Sequence, residues 1–223
     1  MDEKPGTTRD LLNAKFSFKD KRFEIVDSAG IKKRSRITEP IEFYSMMRVL
    51  HFIDQANLVI LIFDVNEGIV REDCRIAELV LSKAKGLVIA ANKIDLVKNK
   101  DKRKILPSVK KSLDFIDFAP VHLISARARL GIEELLNSVL HVHNELSKMA
   151  SQEALDTIAS TIKPPPGGQV TRITQVSKKP PVFSVIMTVP VRESYVRYLR
   201  NTLRNYFGYT CVPILIRTKV KKI

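Results

Sequence analysis

The sequence contains no Gly-x-x-x-x-Gly-Lys-Ser/Thr segment, so a glycine-rich cradle for nucleotide phosphates is missing from the chain as given. It has no long apolar run either. The longest, 58–63 and 87–91, fall far short of the roughly 20 residues that cross a bilayer, and no apolar segment follows Met1-Asp-Glu-Lys4 that could act as a leader. A cytoplasmic protein is expected. Two cysteines, Cys74 and Cys211, are too few and too far apart for a disulfide framework, and neither lies in a sequence cluster with histidine. Both read as ordinary core or surface thiols.

Acidic residues are scarce at one end. Residues 1–150 carry 26 Lys+Arg against 21 Asp+Glu, whereas residues 151–223 carry 12 against 3. The excess of +14 therefore sits mostly in the last third. Basic charge of this density attracts a polyanion, with RNA the commonest in a cytoplasm, or else simply solubilises the fold.

What the 223 residues do contain is an ordinary globular composition, 44% hydrophobic and 28% charged, enough for one large or two modest domains. Short strands are expected at 16–18 and 23–26, buried ones at 58–63 and 87–91, and another at 121–124. Helical patterns occupy 42–55, 72–85, 106–115 and 132–149. Alternation of this kind predicts an α/β fold with a parallel, doubly wound sheet, whose ligands bind beyond the carboxyl ends of the strands. The run 98–104, with five basic residues, reads as a solvated loop. Lys163-Pro-Pro-Pro-Gly-Gly168 then breaks the pattern. A small α+β module is expected around it: a helix near 152–161, strands at 171–176, 182–189 and 213–218, and a helix over 192–207 stopped by Gly208. The domains are thus 1–150 and 151–223.

Three motifs end apolar strands in order: Asp27-Ser-Ala-Gly30, Asn92-Lys-Ile-Asp95 and Ser125-Ala126. In the second, Asp95 can accept two N–H bonds from one edge of a guanine while Asn92 holds the loop and contacts the imidazole side. A backbone N–H of Ser125-Ala126 can meet the guanine carbonyl. Asp27 at a strand end can hold a magnesium-bound water, and Gly30 lets an N–H approach a terminal phosphate. Pro5-Gly-Thr-Thr-Arg-Asp10 offers hydroxyls for Mg²⁺. In the tail, Arg197, Arg200 and Arg204 recur at helical spacing opposite Val196, Leu199, Leu203 and Phe207. That stripe is either solvated surface or a contact for RNA phosphates. There is no Gly-x-x-Gly, the backbone clamp of ordinary KH domains.

These segments, together with Thr174-Gln-Val-Ser-Lys-Lys-Pro-Pro181 and 198–208, resemble the EngA/Der family of bacterial tandem Era-like GTPases over essentially the whole chain. The resemblance is to the second GTP-binding domain from its switch region onward, followed by the KH-like domain. It implies a P-loop-NTPase-like (Era/Ras-like) sheet lacking its first strand, P-loop and first helix, then a KH-like module. It further implies GTP/GDP and Mg²⁺ as cofactors, and ribosomal RNA and assembly of the large ribosomal subunit as the setting. Residue by residue, Thr8 (or Thr7) would ligate Mg²⁺, Asp27 and Gly30 would sense the terminal phosphate, and Asn92, Lys93, Asp95, Ser125 and Ala126 would hold the guanine. The position after Gly30 is Ile31 rather than a glutamine; an apolar residue cannot orient an attacking water, so any hydrolysis would rely on other groups, as in related Era-like enzymes. The missing first strand would lie between those at 23–26 and 58–63, and its loss would leave the domain unfolded, rearranged or completed by another chain. The expectation is therefore a fragment of a longer polypeptide, inactive as a hydrolase alone, with a nucleotide-independent RNA-binding piece as the alternative.

Overall fold

The structure, a computed structural model, describes residues 13–26 and 40–221, in two compact units, 1–56 and 57–223. In the first, β1 (Asn13–Phe18) and β2 (Lys21–Val26) form an antiparallel hairpin. Its two turn residues, Lys19 and Asp20, both have positive φ (45° and 59°), the twist that a two-residue hairpin turn requires. Phe16 and Phe23 face each other across the strands with rings stacked at 5.0 Å. Helix α1 (Pro40–Gln55) opens on proline, which has no N–H to leave unsatisfied there.

The second unit begins with the parallel sheet. β3 (Leu58–Asp64), β4 (Gly86–Asn92) and β5 (Val121–Leu123) lie in the order β3-β4-β5, connected through α2 (Arg71–Ser82) and α3 (Asn99–Ser112), with α4 (Ile132–Ser147) following. The central strand β4 is buried from Gly86 to Ala91, as its unbroken apolar run requires of a strand covered on both faces. β3 is bonded to β4 along one edge only, and no described strand pairs with the other. Ile62 on that strand is 55% exposed. The register sets Asp64 beside Asn92, so both strand ends finish at one level.

The C-terminal part of the unit packs α5 (Gln152–Thr161) and α6 (Glu193–Phe207) against a second sheet of β6 (Val170–Ser177), β7 (Val182–Met187) and β8 (Leu215–Val220). β6 and β7 are antiparallel, β7 and β8 parallel. Its core is Ile173, Phe183, Val185, Met187, Leu199 and Leu203, all fully buried, with Phe207 stacked on Phe183 at 6.0 Å. Ser151 caps α5, its hydroxyl accepting from Ala154 N at 3.2 Å. Gly208, at φ 62°, ends α6 in the left-handed conformation that glycine adopts without a Cβ clash. Buried Gln175 links the α4–α5 connection to β6: its carbonyl accepts from Ala150 N and its amide donates to Lys148 O and Ser177 O.

Several local expectations change: β1 starts at Asn13 rather than residue 16, α2 ends at Ser82 rather than residue 85, and β7 ends at Met187 rather than residue 189. Residues 99–104 are not a loop but the first turns of α3, which starts seven residues earlier than expected. Their side chains carry no apolar period, so the pattern could not show the helix. Asp101 in its first turn suits the positive helix end, and Lys104 pairs with it at 3.1 Å. The last strand is displaced by two residues, Leu215–Val220 instead of 213–218.

Candidate functional site

The residues 92–95 and 125–126 come together at the carboxyl ends of β4 and β5. Asn92 closes β4; Lys93 follows at φ 68°, turning the chain into a short 3₁₀ turn at Ile94–Leu96 that carries Asp95. Ile94 N donates to Ile124 O and Ile124 N to Ala91 O, which bind the two strand ends together. Across this junction the Asn92 side chain does two jobs. Its Oδ1 accepts from Lys93 N at 2.8 Å, closing its own loop, and from Ala126 N at 3.0 Å, fixing the second loop to the first. Its Nδ2 has no hydrogen-bond partner among the described residues, which leaves a donor available.

Ser125 is fully buried and sits at the centre of the second loop. Its backbone exchanges hydrogen bonds with Leu130 at 3.0 Å, and its hydroxyl oxygen accepts from Ala128 N at 3.0 Å. The polar pull of the Ser125 hydroxyl, with smaller help from Arg127 and Lys102, holds the exposed Asp95 carboxyl below the usual carboxylate range. Gly131 closes the loop at φ 69°; a Cβ there would meet Leu123 O at 2.4 Å, so only glycine allows β5 and α4 to approach this closely.

Asp64, not singled out from the sequence, belongs to the same site. Its Oδ2 lies 2.7 Å from Lys93 Nζ and its Oδ1 accepts from Asn66 N at 2.9 Å. The hydrogen bond from Lys93 and then that from Asn66 N lower its pKa, and the same contact raises that of Lys93. The signal was available in outline: a carboxylate ending an apolar strand run, the feature that drew attention to Asp27. A depression of about 490 Å³ opens beside the loops, lined in part by Asn66, Leu96 and Lys98.

The cluster therefore offers an ionised acceptor at Asp95, an amide donor at Asn92 and a rigid backbone between them, a set suited to the polar edge of a flat heterocycle. Ala126 N–H, expected to meet a guanine carbonyl, is engaged with Asn92 Oδ1 here. Thr8, Asp27 and Gly30, with Thr7 and Ile31, lie outside the described residues.

The arginines of α6 separate. Arg197 is exposed. Arg200 Nη2 stands 3.7 Å from Glu193 Oε1. Arg204 turns inward: its guanidinium donates to Tyr209 O at 3.2 Å and Val212 O at 2.9 Å, and lies over Phe118 at 5.3 Å from the ring centre. Cys211, read as an ordinary thiol, is buried against Glu145 and close to His141.

Comparison with known proteins fits this geometry. Residues 1–145 match the elongation factor Tu GTP-binding domain, and residues 150–219 match the KH-domain-like C-terminal domain of EngA bacterial GTPase enzymes. GTPase Der of Caldanaerobacter subterraneus subsp. tengcongensis is 37% identical over 227 residues, covering 96% of this chain and 52% of that protein. GTPase Der of Persephonella marina is 34% identical over 234 residues, covering all of this chain and 52% of that protein. The chain thus spans about half the length of these relatives. Among solved structures, Era in complex with MgGDPNP and nucleotides 1506–1542 of 16S ribosomal RNA superposes with a TM-score of 0.55 at 16% identity, over the whole chain and 84% of Era. A point variant of Aquifex aeolicus Era bound to GDP·AlF4⁻ gives 0.54 at 15%, over the same shares. An α/β unit with the fold of Era, the GTP-binding match over most of its length and the EngA-type module behind it together place this chain in the EngA/Der family of GTPases.

Proposed function

We propose that the protein binds GTP and GDP through the loops at 92–95 and 125–126, with Mg²⁺, as an EngA/Der-type GTPase acting in the cytoplasm on ribosomal RNA during assembly of the large subunit. In this reading residues 1–150 form the GTP-binding domain and 151–223 the KH-like domain. Asp95 accepts from the N1 and N2 donors of guanine, Asn92 Nδ2 donates to N7, and Lys93, Ser125 and Ala126 hold the loops in place. Thr8 and Asp27 serve the metal and Gly30 the terminal phosphate, on the strength of the resemblance alone.

The observation that carries this reading is the Asn92 clamp. One amide oxygen joins the two loops, and beside it stand an ionised acceptor and a donor with no partner among the described residues, the pairing that a guanine edge calls for. Adenine offers a single exocyclic donor and no N1–H, so Asp95 discriminates against it. The test is an amide NMR titration of the 223-residue chain with GDP and with ADP. Shifts at 92–96 and 125–128 with GDP and not with ADP support the reading; equal shifts with both nucleotides, or none in these two loops, overturn it.

The RNA partner rests on charge placement. All three carboxylates of residues 151–223, Glu153, Asp156 and Glu193, stand on α5 and α6. By strand alternation the sheet face opposite those helices carries Arg172, Arg217 and Lys219, all exposed, with Thr174 and Ser184 between them. A face with cations and no carboxylate fits a phosphate backbone. Arg197 and Arg200 are separate candidates on α6, on the helix side of the sheet, while Arg204 is taken up by the fold.

A second reading, RNA binding without nucleotide, is favoured by the lack of a Gly-x-x-x-x-Gly-Lys-Ser/Thr segment in these residues. Phosphate contacts supply much of the affinity in such domains, so weak GDP binding combined with undiminished RNA binding would favour it.

A further inference from the structure

We propose that His141, Glu145 and Cys211 form a binding site for a thiophilic divalent cation, Zn²⁺ in the first instance. His141 and Glu145 lie one turn apart on α4, so their side chains share a face. Cys211 comes from the connection between α6 and β8, far later in the chain. The three donor atoms lie within 4.8 Å of one another. His141 Nε2 is 3.4 Å from Glu145 Oε1, and Cys211 Sγ is 3.3 Å from Glu145 Oε2. Metal bonds of about 2.0–2.3 Å give tetrahedral edges of roughly 3.3–3.8 Å between neighbouring ligands. Each separation is of that size, although the histidine meets Oε1 and the thiol Oε2, so a carboxylate binding through one oxygen calls for a small adjustment of the exposed histidine.

The carboxylate is oriented from behind. Thr210 N donates to both its oxygens at 2.9 and 3.0 Å, Cys211 N to Oε2 at 2.9 Å, and Thr210 Oγ1 to Oε1 at 2.7 Å. Outer partners of this kind fix a metal ligand before the metal arrives. Glu145 and Cys211 are buried, while the His141 side chain is 62% exposed. The ion therefore enters from the histidine side, where solvent can complete its coordination. Thr210 Oγ1 gives its one proton to Glu145 Oε1, so without metal His141 Nε2 turns an N–H toward Thr210 Oγ1; metal binding takes the other neutral tautomer, with the proton on Nδ1 and the Nε2 lone pair on the ion. At Cys211 the S–H proton now shared with Glu145 Oε2 leaves to solvent as the metal–sulfur bond forms, so the dication meets one carboxylate and one thiolate and the site is neutral.

Opposing charges are peripheral. Lys148 Nζ is 3.9 Å from Glu145 Oε1 but 44% exposed and held by Gly208 O, and Arg204 is committed to two backbone carbonyls. Without metal the same cluster is a hydrogen-bonded anchor between α4 and the segment before β8, and the test separates the two.

Co²⁺ is titrated into the reduced, nucleotide-free 223-residue chain carrying Cys74→Ser, which removes its one other thiol. The expected result is a sulfur-to-cobalt charge-transfer band saturating at one equivalent, with intense visible bands of four-coordinate cobalt, both erased by Zn²⁺. Cys211→Ser abolishes the charge-transfer band. His141→Ala, at an exposed position, keeps the circular dichroism spectrum and weakens the affinity by about tenfold or more. No charge-transfer band in the parent, or affinity unchanged in His141→Ala, shows the cluster to be an anchor only and overturns the proposal. Because no nucleotide is present, either result is independent of the guanine reading.

Discussion

Asn92 Oδ1 receives the backbone N–H of Ala126 at 3.0 Å, so a side chain at the end of one strand sets the position of the loop that follows the next. Replacing Asn92 by alanine removes this bond and that to Lys93 N, at a cost of about 0.5–1.5 kcal/mol each. Amide exchange at Ala126 should accelerate while the interior of β4 stays protected. Asn92→Asp keeps the acceptor and loses the Nδ2 donor, so Ala126 should remain protected while guanine affinity falls. Unchanged exchange at Ala126 in the alanine variant would refute the clamp.

At Asp95 the carboxylate matters as an acceptor. Asn in its place offers a single acceptor and places a donor against guanine N1–H or N2–H. Guanine affinity should drop on the order of tenfold or more, and xanthine, with a carbonyl in place of the N2 amino group, should gain. Competition of GDP and XDP in the same NMR titration measures both, and a variant that still prefers GDP over XDP to the original degree counts against the assignment.

The ion pair between Asp64 and Lys93 sets a pH window. The folded-state pKa of Asp64 is lowered, chiefly by the hydrogen bond from Lys93, so its contribution is present above the unfolded carboxylate value of about 3.9 and is lost as pH falls through the lower folded value. Lys93, raised by the same contact, keeps its charge well into the alkaline range. Loop geometry should thus hold constant through neutral pH and change only in acid. A carboxyl ¹³C titration of Asp64 checks this: the midpoint should lie below the ordinary value and move up in Lys93→Ala.

Arg204 should behave as a structural residue. Truncation to alanine strips the carbonyls of Tyr209 and Val212 of their donor, and a buried unsatisfied group costs about 1–3 kcal/mol. Urea denaturation should show a loss of roughly that size, with little change in the salt dependence of RNA binding. Removing Arg172, Arg217 or Lys219 should do the reverse: each reduces the slope of log affinity against log salt by roughly 0.7–0.9 and leaves stability nearly intact. Equal slopes in all variants would mean that the open sheet face does not touch RNA.

Hydrogen exchange should also grade the parallel sheet. β4, buried and paired on both sides, should exchange slowest, whereas β3 should exchange faster, since it is bonded along one edge and carries exposed Ile62. Protection of β3 equal to that of β4 would imply a further partner on its open edge.

The sequence alone marked the strand at 87–91 as buried and where the polar loops follow, because an unbroken apolar run there has no solvated face to offer; the run at 58–63 carries the same pattern, yet only Leu61 and Phe63 are buried in it and Ile62 is exposed, since burial depends on what lies beside the strand. It also exposed the motifs at 92–95 and 125–126, since these are contiguous and end those runs. It did not reveal the start of α3, where residues 99–104 are polar throughout and a helix leaves no hydrophobic period. Nor did it separate the arginines of α6, because equal spacing along a helix says nothing of what stands opposite: Arg204 meets two carbonyls and a phenylalanine, while Arg197 meets solvent. The partnership of Asp64 with Lys93, and of Glu145 with the backbone at 210–211, depends on strand register and on the return of the chain after α6. Local pattern carries periodicity and burial; contacts between groups tens of residues apart exist only once the folded backbone has fixed their separation.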